Sequence, residues 1–163
     1  PVLNIVKYPD PRLKETCRPI TVFDKKLEKL AEDMIETMYE AAGIGLAAPQ
    51  VGVNERIIVV DVSRKADEPI VFINPVITNL QEETESEEGC LSIPEYRDTI
   101  LRKNKLHVKA QDLKGNFFEK EAEGLFAICI QHEVDHLNGV LFVDHLSRLK
   151  KELFKKWAKK NLP

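Results

Sequence analysis

The sequence predicts an α+β fold: antiparallel strands in small sheets packed around a central buried helix, with one helix in the N-terminal half and an amphipathic helix at the C-terminus. Three observations point there. Residues 125–137 (LFAICIQHEVDHL) follow Gly124 as a run of helical length whose first half is mostly apolar, and such a helix has to be buried. Short β-branched runs alternate with turn residues, as the strands of an antiparallel sheet do. Two further segments space their apolar residues three and four apart, the period of an amphipathic helix.

Taken in chain order, Asp24 is a helix N-cap, followed by Leu27, Leu30, Ala31, Met34, Ile35 and Met38 at helical spacing, with Gly43 as the expected stop. Residues 56–62 (RIIVVDV) and 70–73 (IVFI) read as buried strands separated by polar residues and Pro69. The acidic stretch 82–88 (EETESEE) reads as a solvated loop. Residues 106–111 and 117–122 flank Lys114, Gly115 and Asn116, a hairpin signal. In the tail, Leu146, Leu149, Leu153, Phe154 and Trp157 fall at helical spacing.

A chain of 163 residues that is 43% hydrophobic makes one domain able to bury roughly two-thirds of its unfolded surface. The net charge of −3 gives no overall attraction to nucleic acid or anionic membrane. The balance is uneven, however. Residues 147–163 carry seven Lys/Arg and one Glu, against 17 Lys/Arg and 26 Asp/Glu in the remainder, so a contact with polyanions would be local to the tail. Three cysteines, Cys17, Cys90 and Cys129, make no disulfide framework and point to a reducing compartment. No apolar run reaches the roughly 20 residues of a membrane span, and PVLNIVKYPD has no secretory pattern. A cytoplasmic location without membrane association is the expectation. The chain begins at Pro1, so an initiator Met or a longer leader, an organellar transit peptide included, is expected to have preceded it.

His132 and His136 are four apart, so on a helix both imidazoles project from one face and can converge on one divalent ion. Glu133 lies beside them, placed to take a proton from a water at that ion. This is an HExxH pattern, and it needs a third ligand. A metzincin protease would have His at position 142, where this chain has Phe142. Cys90, Cys129, His107 and His145 are the candidates. Cys129 shares the helix face with His136, but seven residues rise about 10.5 Å, too far for bonds of about 2.0 to 2.3 Å to meet at one ion. It reads as core. Cys90, in the Gly-preceded turn EGCLS, is the better candidate, and with two His it would leave a fourth position for water. In GIGLAAPQ (43–50) the small residues permit close backbone approach, and the Gln50 amide can donate to an oxyanion. The rival readings are a general HExxH protease and a non-catalytic zinc-stabilised RNA-binding module; the latter leaves Glu133 unexplained.

Together, GIGLAAPQ at 43–50, EGCLS at 88–92 and QHEVDHLNG at 131–139 resemble the peptide deformylase family in order and separation, and the likeness runs from KYPDPRL to LFVDHLS. The resemblance implies removal of the formyl group from the formylmethionine of nascent polypeptides. It makes Cys90, His132 and His136 the metal ligands, Glu133 the general acid and base, and Gln50 with the Leu91 backbone N–H the oxyanion donors. Ile44 and Gly45 would hold the substrate, and Leu125, Ile128 and Cys129 would wall the methionine pocket. It also implies ferrous iron in the cell, with zinc, nickel or cobalt able to occupy the same ligands, and a C-terminal helix that meets the ribosome through rRNA. Residues 1–146 are then a single catalytic domain, and 147–163 a basic helix belonging to it.

Overall fold

A computed structural model describes all 163 residues. The elements in order are α1 (Lys25–Glu40), β1 (Gly45–Ala47), β2 (Ile57–Val60), β3 (Ile70–Cys90), β4 (Ile93–Gln111), β5 (Phe117–Glu123), α2 (Leu125–Leu137) and α3 (Arg148–Asn161). The five strands form one antiparallel sheet in the order β1-β2-β3-β4-β5.

The alternation of side chains along a strand explains the layering. On β2, Ile58 and Val60 join Phe72, Leu106, Val108 and the α2 residues Ala127, Cys129, Ile130 and Leu137 in one core. Ile57 and Val59 point the other way, into a second core with Leu27, Ala31, Met34 and Met38 of α1. All four β2 side chains are fully buried, each worth about 1.5–3 kcal/mol. β2 is thus the strand on which both layers close.

Asp24 caps α1 as expected, its carboxylate accepting from the Leu27 N–H at 3.1 Å. The stop differs from expectation. Ala42, at φ +56°, takes the left-handed position, and the Gly43 N–H closes the turn on the Met38 carbonyl at 3.0 Å. Gly43 serves another need: a Cβ there would lie 3.1 Å from Leu91 Cδ1.

The expected hairpin is present as β4 and β5, with Gln111 opposite Phe117. The acidic stretch is a correction, because residues 82–88 lie inside β3 rather than in a loop. β4 supplies the compensation across the ladder. Lys105 pairs with Glu82 at 3.2 Å, Arg97 with Glu87 at 3.2 Å and Arg102 with Glu88 at 2.9 Å. β3 is also bent. Its register shifts at Ile73/Val76 and Thr78/Gln81, where Asn74 and Asn79 have positive φ.

α3 starts at Ser147, whose side chain accepts from the Lys150 N–H, and packs by Phe154, Ala158 and Trp157 against Tyr8, Tyr96, Ile93 and Phe142. Tyr96 lies 4.8 Å from the Phe154 ring and 4.9 Å from Trp157. Leu149 and Leu153 of the apolar spacing do not pack on the body, being 70% and 54% exposed. The aromatic contacts aim 154, 157 and 158 inward, and that rotation turns 149 and 153 out beside the lysines. No helix is long and apolar enough to cross a membrane.

Candidate active site

α2 is held in register by its own sequence. The Gln131 side chain donates to the Lys103 carbonyl at 2.7 Å and accepts from the Lys103 N–H at 3.1 Å, fastening α2 to β4. At the other end, Arg56 donates to the Leu137 carbonyl and to Asn138 Oδ1, satisfying C-terminal acceptors. Between these ties stand His132, Glu133 and His136.

Cys90 closes β3 and meets these residues. Its Sγ is 3.4 Å from His136 Nε2, and the metal-binding atoms of Cys90, His132 and His136 all lie within 4.8 Å of one another. His132 Nδ1 faces Glu88 Oε1 at 2.9 Å; a carboxylate only accepts, so Nδ1 carries a proton and Nε2 is the ring nitrogen left for another partner. Burial opposes the charge on Glu88, but the bonds from Arg102 and His132 outweigh it and hold the carboxyl at about 2. Burial likewise pushes His136 well down, keeping it neutral. His136 Nδ1 and Glu133 Oε1 are buried without a hydrogen-bond partner. A thiol, two imidazoles and unpartnered polar atoms beside them fit a divalent cation better than a packed core.

Glu133 is 4% exposed, and burial pushes its carboxyl up to about 7 against the pull of His132. It sits under β1. A Cβ on Gly45 would come within 2.6 Å of Glu133 Oε2 and 2.7 Å of Cys129 Sγ, so the glycine is what lets the strand pass over the carboxylate. Here the 43–50 segment is partly a strand, β1, followed by a 3-10 turn over Ala48–Val51. Gln50, on that turn, is 2% exposed. The Ala47 N–H donates to its Oε1 at 3.0 Å, turning Nε2 toward Ser92 Oγ at 3.2 Å and Cys90 Sγ at 3.5 Å.

A cleft of about 700 Å³ opens over these groups. Of the residues singled out from sequence, Ile44, Gly45, Gln50, Cys90, Leu91, Leu125, Ile128, Cys129, His132 and Glu133 line it, and His136 lies just beneath, 1% exposed. The two other histidines weighed as ligands are occupied elsewhere: His107 by Glu119 and Glu121 on the β4–β5 hairpin, His145 by Asp135. Sequence reasoning missed Glu88, Arg102 and Ser92. Glu88 and Ser92 flank Cys90 within EGCLS, which was their one local signal; Arg102 had none.

The polypeptide deformylase family model matches residues 2–152. The chain belongs to that family. The peptide deformylase of Chromobacterium violaceum is 54% identical over 98% of this chain and 95% of its own length. Among solved structures, a peptide deformylase from Legionella pneumophila superposes with a TM-score of 0.91 at 45% identity, covering both chains entirely. One from Ehrlichia chaffeensis in complex with actinonin gives 0.91 at 40% identity over 99% of each chain.

Proposed function

We propose that the chain removes the N-terminal formyl group from formylmethionyl nascent polypeptides, releasing formate, with Cys90, His132 and His136 holding one divalent ion. The observation that carries this reading is the convergence of those three side chains beside a buried carboxylate with an unpartnered oxygen. Thiolate with imidazole suits iron(II) or zinc, and iron(II) is the ion proposed for the cell, with nickel or cobalt able to take the same ligands. When bound, the ion supplies Lewis acidity, acidifying a water and polarising the formyl carbonyl.

The protein's own groups do the rest. Glu133 accepts the proton of the attacking water as oxygen adds to the formyl carbon. The carbonyl oxygen becomes negative, and Gln50 Nε2–H and the Leu91 N–H donate to it; neither the turn nor the strands around Leu91 use that N–H. Glu133 then delivers its proton to the amine nitrogen as the C–N bond breaks, leaving formate and a free N-terminus. β1 pairs only with β2, so its other edge is open to a peptide main chain at Ile44 and Gly45. Leu125, Ile128 and Cys129 offer an apolar wall for the methionine side chain.

The test is formate release from a formyl-Met peptide by anaerobically purified protein, with metal determined on the same sample. One ion per chain and steady release are expected, without internal cleavage of unformylated peptides. A fully loaded protein that releases no formate would refute the reading.

We further propose that 1–146 and α3 form one domain and that the outer face of α3 meets rRNA. Lys151, Lys155, Lys156 and Lys159 are exposed there beside Leu149 and Leu153. Reversing those four charges spares the docked Phe154 face and is expected to abolish ribosome co-sedimentation. Unchanged sedimentation speaks against an rRNA contact.

A further inference from the structure

The site does not end at its three ligands. From His132 a run of charged groups leads outward through four elements. Glu88 on β3 accepts from His132 and also receives a fork from Arg102 on β4, whose Nε and Nη2 each lie 2.9 Å from a Glu88 oxygen. The remaining guanidinium arm, Nη1, donates to Asp135 Oδ2 on α2 at 2.7 Å. That same oxygen faces His145 Nε2 at 2.8 Å, on the 3-10 turn Phe142–His145. Arg102 and Glu88 are 4% and 6% exposed, Asp135 is 25% exposed, and His145 reaches solvent at 39%.

We propose that Asp135 and His145 are positioning residues of the metal centre, acting on His132 through Arg102 and Glu88. The guanidinium is planar and its donors are fixed relative to one another. Its plane sets where both Glu88 oxygens sit, and Glu88 in turn sets the rotation of the His132 ring. Two bonds to one carboxylate still allow the guanidinium and its partner to rock together. The Asp135 bond, at the far corner of the same plane, removes that freedom. Asp135 is itself a short side chain near the surface, and His145 is its other partner, so the donor at 145 fixes the last joint. Water does not replace these contacts inside, because Arg102 and Glu88 are out of its reach. Removing the outer donor therefore loosens a ligand several bonds away.

The proposal rests on the reading of Cys90, His132 and His136 as ligands, and the test separates the two. Protein stripped of metal and reloaded with Co(II) is challenged with excess dipicolinate, and loss of the cobalt–thiolate absorption reports dissociation. His145→Phe keeps a ring and removes the donor; cobalt loss about tenfold faster than wild type, with a shifted d–d band, is expected. His145→Gln, whose amide donates to Asp135, is expected to restore the slow rate. Equal rates for wild type and His145→Phe overturn the proposal, as does equal acceleration in both variants. A lower melting temperature of the metal-free variant with unchanged cobalt loss also overturns it, since that is what a mere brace between the turn and α2 would give. If His145→Phe does not fold, Asp135→Asn carries the same expectation and the same refuting outcome. The ligand reading fails separately, by wild type taking up no Co(II) or by Cys90→Ser keeping the thiolate absorption.

Discussion

Replacing Glu133 with alanine is expected to leave the divalent ion bound while lowering formate release by about 10²- to 10⁴-fold, the usual contribution of a positioned acid and base. The reason lies in where the carboxylate is kept. It is 4% exposed and one oxygen has no partner, so its acceptor capacity is reserved for whatever enters the cleft. Burial places its carboxyl at about 7, near the pH at which one group can both take a proton and give it back. Glutamine at this position keeps the shape and loses the proton traffic, so the same loss is expected from Glu133→Gln. Formate assays on variants whose metal content equals wild type decide the matter, and near-normal turnover would remove Glu133 from the chemistry.

Gln50→Leu is expected to lower kcat by about 10²- to 10³-fold, the typical cost of one oxyanion donor, with KM changed far less. Gln50 is pre-oriented: the Ala47 N–H takes its oxygen and leaves the NH₂ beside Ser92 and Cys90 at the cleft wall. A donor fixed before substrate arrives costs nothing to reorganise as charge appears on the carbonyl. Steady-state kinetics on a formyl-Met peptide separate the two constants. A loss confined to KM would mean that Gln50 binds substrate rather than the developing charge.

What was legible in the sequence was what local pattern controls. The Asp24 cap, the spacing of Leu27, Ala31, Met34 and Met38, and the turn residues Lys114, Gly115 and Asn116 are read within a few positions of where they act, and each stands in the structure as expected. β3 was not legible beyond Ile73. Its glutamates are tolerated in a strand because Lys105, Arg97 and Arg102 lie across the ladder, and that register is invisible to any window on residues 82–88. The same blindness hid Arg102, a buried cation whose partners come from β3 and α2. For Leu149 and Leu153 the limit is a different one. Periodicity identifies a stripe but not its rotation, and the aromatic contacts of Phe154 and Trp157 set that. At the site, spacing alone left Cys90 as one of several possible third ligands; the three motifs taken together singled it out, and the end of β3 brings it against α2.

β1 is only three residues long, Gly45–Ala47, at the edge of its sheet. An edge that short can make only a few main-chain hydrogen bonds with a visiting peptide, at about 0.5–1.5 kcal/mol each. Sequence-independent grip is therefore capped at a few kcal/mol, which corresponds to fast departure rather than long residence. A catalyst that must meet many different chains once each is better served by a handhold than by a clamp. The same brevity denies a misfolded or aggregating strand a template on which to grow.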